Sequence, residues 1–266
     1  MKVAVTGAAG FVGRELMKQL REARSVGRGE RLTEAFAGAD AVVHLAGIIH
    51  ECGANTFQRA HVEMTRAVIE AAKAAGVRRY LHMSALGTWS GARSRYHQTK
   101  WAAEELVRQS GLAWTIFRPS IIYGPEDKSV NVLVKTLRRL PFAVVLGDGT
   151  GKIQPVSVSN VARAFASALT NDATIGKAYD LCGPAAFTWN ELYDKLSAMH
   201  GLRRPKLHLP LGVARLLAAV MEQVLTQPPF NRDQLLMVSE DNVGDPLPAE
   251  WELGVVRESF EAGVSR

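Results

Sequence analysis

The chain is 266 residues long, with 47% hydrophobic and 22% charged residues. These are ordinary globular values and exclude a disordered or collagen-like chain. The net charge is +6 and uneven: residues 1–139 hold 21 Lys and Arg against 12 Asp and Glu, whereas residues 140–266 hold 11 against 14.

That length suits one large core, or a core with a small lobe. Cys52 and Cys182 are the only cysteines, too few and too far apart for a disulfide framework or a zinc site of usual spacing. They read as free thiols in a reducing compartment, and no metal site is expected. The N-terminus lacks the charged head and apolar stretch of a signal peptide. The longest apolar stretch, Leu209 to Leu225, is broken by Pro210, Arg215 and Glu222 and falls short of the ~18 apolar residues of a membrane span. A soluble, cytoplasmic protein is expected.

In chain order, Lys2 to Thr6 reads as a buried parallel strand ending at a glycine loop, and Phe11 to Arg21 as a helix. Asp40 to Gly47 is a second buried strand. Val62 to Ala75 is a helix with Gly76 as its C-cap. Tyr80 to Ser84 is a strand, Tyr96 to Gln109 a long helix, and Trp114 to Arg118 a strand stopped by Pro119. Strand and helix alternate, which indicates a doubly wound parallel sheet with helices on both faces. Beyond Gly124-Pro125 the pattern loosens into a helix at Val130 to Leu140, a strand at Ala143 to Leu146 and a helix at Val161 to Leu169. From Pro184 prolines and helical segments dominate. The expected division is therefore an α/β domain over 1–183, with 124–142 contributing to a substrate lobe, and a small, mostly helical lobe over 184–266. Trp189, Met199, Leu207 and Met221 of that lobe could line a pocket or pack a core.

Two motifs carry chemistry. Gly7-Ala8-Ala9-Gly10-Phe11-Val12-Gly13 lies between a strand and a helix. In that context the first glycine allows a tight turn, the middle one lets backbone approach a pyrophosphate, and the last lets the helix pack on the sheet. Free N–H groups and the dipole at the helix N-terminus then hold the phosphates. A basic first half suits such an anionic dinucleotide. Charge alone would also suit nucleic acid, but no binding motif accompanies it and no nucleic-acid partner is expected. The second motif is Tyr96 with Lys100, four apart and so on one helical face. A nearby ammonium and a helix N-terminus would lower the phenol's pKa, letting Tyr96 exchange a proton with a carbonyl or hydroxyl oxygen. Ser84 ends the preceding strand, where α/β sites collect, and its hydroxyl could bond the same oxygen. The alternative is a surface tyrosine beside a surface lysine.

Together with Asp40-Ala41-Val42-Val43-His44-Leu45-Ala46-Gly47 and Arg118-Pro119-Ser120-Ile121-Ile122-Tyr123-Gly124-Pro125, these motifs resemble extended or atypical short-chain dehydrogenases/reductases, the NAD-dependent epimerase/dehydratase-like group. Gly147-Asp148-Gly149, Gln154-Pro155-Val156, Asn160-Val161-Ala162, Leu181-Cys182-Gly183-Pro184, Pro228-Pro229 and Asp241-Asn242-Val243 resemble the subgroup related to the nucleotide-binding accessory subunit of respiratory complex I. The resemblance implies a Rossmann-type sheet, a bound NAD or NADP, and hydride chemistry on a small-molecule carbonyl or alcohol. It implies Tyr96 as acid/base, Lys100 also on the nicotinamide ribose, and Ser84 orienting the substrate. Gly7, Ala9, Gly10, Phe11, Val12, Gly13, Ala46 and Gly47 would line the nucleotide, with Pro119 near the nicotinamide.

Two departures stand out. His61 occupies the position where many extended members have an asparagine, and a histidine could also relay protons. Between the glycine loop and Asp40, two strands, a helix and their loops would need roughly 30 residues. Only Arg14 to Gly38 remain, and Arg21 to Arg31 holds Val26 as its one β-branched residue. The second and third strands therefore read as missing or vestigial. The first strand would then lie at or near a sheet edge, and bare edges invite pairing, so a second copy of the chain or a loop is expected to cover it. The residue that reads the adenosine ribose is correspondingly undecided. Glu30 and Glu34 lie near the right spacing, whereas Arg24, Arg28 and Arg31 could meet a 2′-phosphate or form a solvated basic loop. An oxidoreductase is the first expectation, and a non-catalytic dinucleotide-binding scaffold or sensor the second.

Overall fold

The structure, a computed structural model, describes residues 1–225, 230–256 and 258–264. Pro228-Pro229 lies outside the described residues. In chain order the elements are β1 (Val3–Thr6), α1 (Phe11–Gln19), β2 (Ala23–Val26), α2 (Leu32–Ala35), β3 (Ala41–His44), a π-helical turn (Gln58–Glu63) running into α3 (Met64–Ala74), β4 (Arg79–Met83), α4 (Arg95–Arg108) and β5 (Ala113–Pro119). There follow β6 (Ile122–Tyr123), α5 (Val130–Arg139), β7 (Ala143–Leu146), β8 (Lys152–Ile153), β9 (Val156–Ser157), α6 (Val158–Leu169), β10 (Lys177–Leu181), β11 (Phe187–Thr188), α7 (Trp189–Met199), β12 (Lys206–Leu209), α8 (Leu211–Val224), α9 (Arg232–Val238), α10 (Leu247–Leu253) and α11 (Phe260–Val264).

The chain forms two compact units, each built from three stretches. Unit 1 comprises Met1–Pro119, Val158–Leu181 and Asp245–Arg257; unit 2 comprises Ser120–Ser157, Cys182–Gly244 and Glu258–Arg266. Unit 1 is the doubly wound α/β sheet. Its six strands run in the order β10-β5-β4-β3-β1-β2, all parallel. β1, β3 and β4 lie inside the sheet and are correspondingly rich in apolar residues, with Thr6, His44, Arg79 and His82 as buried polar members. On one face, Val42, Tyr80 and Ile116 pack with Phe36, Val68, Ala72 and Val107 from α2, α3 and α4. On the other, Phe117 packs against Phe165 of α6, the rings tilted with centroids 4.4 Å apart.

The strand between the glycine loop and β3 corrects the sequence expectation. A second strand is present: β2 pairs with β1 from Val3↔Ala23 to Thr6↔Val26. It escapes pattern reading because it is an edge strand, and of its four residues only Val26 is buried. From Val26 the chain reaches β3 through the single helical turn of α2, and no strand is described between them. β1 is consequently flanked by β2 and β3 and is not an edge. A strand of the same chain covers it, and the bare edge belongs to β2.

Unit 2 packs α5, α7 and α11 around Tyr123, Val145, Ile153, Leu192 and Phe260. Trp189 and Met199 pack against this core, whereas Leu207 is exposed. Several residues of the later motifs are clamps. The Gln154 side chain donates to Gly183 O (2.6 Å) and accepts from Gly244 N–H (3.1 Å), and Asp241 accepts from Lys152 N–H (2.8 Å). Among the described residues, no helix is long and apolar enough to cross a membrane.

Candidate functional site

The candidate residues gather at the C-terminal ends of the strands of unit 1. β1 ends at Thr6, and Gly7 turns with φ of +77°. A Cβ there would lie 2.8 Å from the Ala46 backbone N, so glycine keeps the exits of β1 and β3 side by side. At Gly13 a Cβ would lie 2.3 Å from Gly7 O, and its absence lets α1 pack onto the loop. Gly10 caps α1 without a side chain. The first helical bond runs from Arg14 N–H to Gly10 O (2.9 Å), so the amides of Phe11, Val12 and Gly13 come before it. With Ala9 exposed beside them, they form a backbone cradle for an anion at a helix N-terminus.

α4 opens at Ser94, whose Oγ accepts from His97 N–H (3.2 Å). One turn apart on it, Tyr96 and Lys100 are both buried, 8% and 4% exposed, which removes the surface-pair alternative. The Lys100 ammonium donates to Met83 O (3.0 Å), lies 5.9 Å from the Tyr96 ring centroid, and would lie 3.2 Å from a Cβ on Gly47. Lys100 therefore ties the end of β4 and the loop after β3 to the tyrosine. Ser84 follows Met83 directly. Its N–H donates to Phe117 O (2.7 Å), but its buried Oγ has no partner among the described residues. Pro119, at the end of β5, is buried and accepts from Leu86 N–H (2.9 Å).

The electrostatics correct one expectation. Burial pushes the Tyr96 phenol above its ordinary value instead of below it. Loss of water outweighs an ammonium that is directed at a carbonyl. Burial also pulls Lys100 down to about 8, opposed by the Glu104 carboxylate. At neutral pH the pair rests as phenol and ammonium.

His61 sits in the π-helical turn, a local register shift often found at functional sites. Its Nε2 is 2.9 Å from Ile48 O and its Nδ1 2.9 Å from Thr99 Oγ1. Its ring meets the Tyr96 ring edge-on at 5.3 Å. Burial and the Lys100 charge push it down to about 3, so the ring is neutral, and because a carbonyl only accepts, its one N–H is the Nε2–H that donates to Ile48 O. The π turn, Thr99 and the Arg95–Glu51 fork (2.9 and 3.2 Å) joining α4 to the loop after β3 escaped the sequence analysis, since no local pattern announces them.

The NAD(P)H-binding family matches residues 25–172, more than half of the chain. The chain belongs to this family, in its extended short-chain dehydrogenase/reductase branch. It is 30% identical, over 90% of its own length and 70% of that protein, to the mitochondrial NADH dehydrogenase [ubiquinone] 1 alpha subcomplex subunit 9 of Arabidopsis thaliana. It is 27% identical to the ceramide reductase of Caulobacter vibrioides, over 78% of this chain and 73% of that one. Of some other relatives it spans less than two thirds. The fold is shared with MoeE5 solved with UDP-glucose and NAD, at a TM-score of 0.78 and 21% identity, covering 100% of this chain and 96% of that one. The residues present fit the family's NAD(P): a cradle that any Cβ at Gly7 or Gly13 would disrupt, and an orphaned hydroxyl at Ser84.

Proposed function

We propose that the chain is an NAD(P)H-dependent reductase of a small-molecule carbonyl. The observation that carries the reading is Ser84, whose hydroxyl is buried, unpartnered and one residue beyond the carbonyl that Lys100 holds. A buried polar atom left without a partner is costly unless a ligand satisfies it. When bound, the reduced nicotinamide supplies hydride to the carbonyl carbon. Tyr96 gives its phenolic proton to the carbonyl oxygen, which Ser84 has already engaged by a hydrogen bond, and the product is the alcohol. The Lys100 ammonium stabilises the phenolate left behind and holds the nicotinamide ribose. The phenol carries its proton at neutral pH, as a proton donor must. The Gly7–Gly13 amides hold the pyrophosphate, Ala46 and Gly47 line the nucleotide, and Pro119 borders the nicotinamide.

On the adenosine side the Glu30 carboxylate is already engaged by Gly27 N–H (2.6 Å) and Arg24 (3.1 Å). Arg28, exposed just beyond β2, supports NADPH over NADH. The free thiols of Cys52 and Cys182 suit the cytoplasm. The ceramide reductase relative supports reduction by analogy. The test is NADPH oxidation against a panel of aliphatic, aromatic and sugar ketones. Tyr96→Phe is expected to lower kcat by about 10²–10⁴-fold while the thermal shift with NADPH persists. Unchanged turnover in the variant overturns the mechanism. The Arabidopsis relative supports a second reading, a non-catalytic dinucleotide-binding subunit, for which the nucleotide raises the melting temperature and no ketone turns over.

A further inference from the structure

Tyr96, Lys100 and Glu104 follow one another at four-residue steps along one face of α4. The first two belong to the proposed site. The Glu104 side chain is fully buried and held from two sides. Arg118 of β5 donates from Nε to Oε1 (2.9 Å) and from Nη2 to Oε2 (2.6 Å), and Arg108, one turn further along α4, donates to Oε2 (2.5 Å). Arg108 is itself fixed by Glu105 (2.6 Å) and lies over the Trp101 ring at 4.8 Å. Three charge-assisted bonds take up both carboxylate oxygens. A glutamate one turn from a lysine is within reach of direct pairing. Here the clamp keeps the carboxylate on the arginines and leaves the Lys100 ammonium to Met83 O and Gly47, beside Tyr96.

The titratable groups near Lys100 are Tyr96 and Glu104 on α4, His44 on β3, His61 on the π turn and His82 on β4. The three histidines are buried and neutral. Glu104 is the anion among the described residues that favours the ammonium.

We propose that Glu104, clamped by Arg118 and Arg108 one turn below Lys100, is a positioning residue that keeps Lys100 charged and seated on Met83 O, beside Tyr96, inside a dry site. This rests on the reductase reading. Glu104 touches neither substrate nor nucleotide, and acts through the lysine.

The experiment compares the pH dependence of NADPH affinity, read by nicotinamide fluorescence, with that of kcat/KM in the wild type, Glu104→Gln, Glu104→Asp and Arg108→Ala. Loss of the Lys100 proton sets an alkaline limb. Removing the anion is expected to move that limb down by roughly 1 pH unit in Glu104→Gln. Glu104→Asp, which keeps the charge, holds it near the wild-type position. Arg108→Ala, which removes a competing cation, moves it up. A merely structural role would lower stability without shifting the limb in opposite directions. Should Glu104→Gln not fold, the other two variants decide. An Arg108→Ala limb at the wild-type position, or a Glu104→Asp limb displaced as far as expected for Glu104→Gln, overturns the inference. A wild type that binds neither NADPH nor NADH overturns the reductase reading instead. A wild type with the limb, and variants that leave it in place, overturns this inference alone.

Discussion

The Gly7–Gly13 loop and the Arg21–Gly38 segment are close in sequence and built on opposite principles. The loop takes its shape from missing side chains: a Cβ at Gly7 or Gly13 would strike backbone atoms of Ala46 or Gly7. Its root is dry, with Thr6 Oγ1 2.6 Å from His44 Nδ1 and both residues buried. The Arg21–Gly38 segment turns Val26, Ala35 and Phe36 to the core and is tied on its outer side by exposed side chains. Arg24 reaches the carbonyls of Glu34 (3.3 Å) and Ala35 (3.0 Å) and pairs with Glu30, while Arg31 pairs with Glu34 (3.2 Å). Backbone clashes and buried histidines respond to volume and to acid, whereas exposed ion pairs respond to salt. The loop is thus the rigid member of the pair and the outer segment the soft one.

The largest effect expected from this contrast is steric. Gly13→Ala places a methyl group 2.3 Å from Gly7 O and is expected to destabilise by about 3 kcal/mol or more, or to prevent folding, in urea unfolding experiments. A variant as stable as the wild type would break the contrast at its strongest point. Acid comes next. His44 is held neutral by burial, its pKa pushed down from 6.5 to about 3, and His82 is also pushed down. Below pH 6.5 the unfolded chain takes up protons that the folded chain refuses. Stability is therefore complete above that pH and falls toward pH 3, by about 1.4 kcal/mol per pH unit for each such histidine. Urea melts at pH 7 and pH 5 check this, and a flat profile contradicts it. The smallest effect belongs to the outer segment. Arg24→Ala is expected to cost about 0.5–1 kcal/mol at low salt and less at high salt. A loss of several kcal/mol would show that this segment is not the soft one.

The same contrast governs what a sequence reveals. β1, β3 and β4 were legible because strands buried on both faces are rich in apolar residues, and Ser84 because it ends such a strand. The glycine loop was legible because its constraint is the residue type itself. β2 was not, since an exposed edge strand leaves only Val26 inward and imitates a polar loop. The depth of Tyr96 and Lys100 was invisible too: their spacing gives a shared face of α4, but burial depends on what packs over it, and burial reverses the expected direction of the phenol's pKa. Nor does spacing announce the clamp on Glu104, whose Arg118 arrives from a different strand.

The interleaving of the two units has a consequence for dissection. A gene truncated after Pro119 would encode five of the six sheet strands but lack β10, which pairs with β5, and α6, whose Phe165 packs on Phe117. Neither half can be lifted out with a single cut. A faithful transplant of unit 1 would have to splice three separate stretches and redesign the joins.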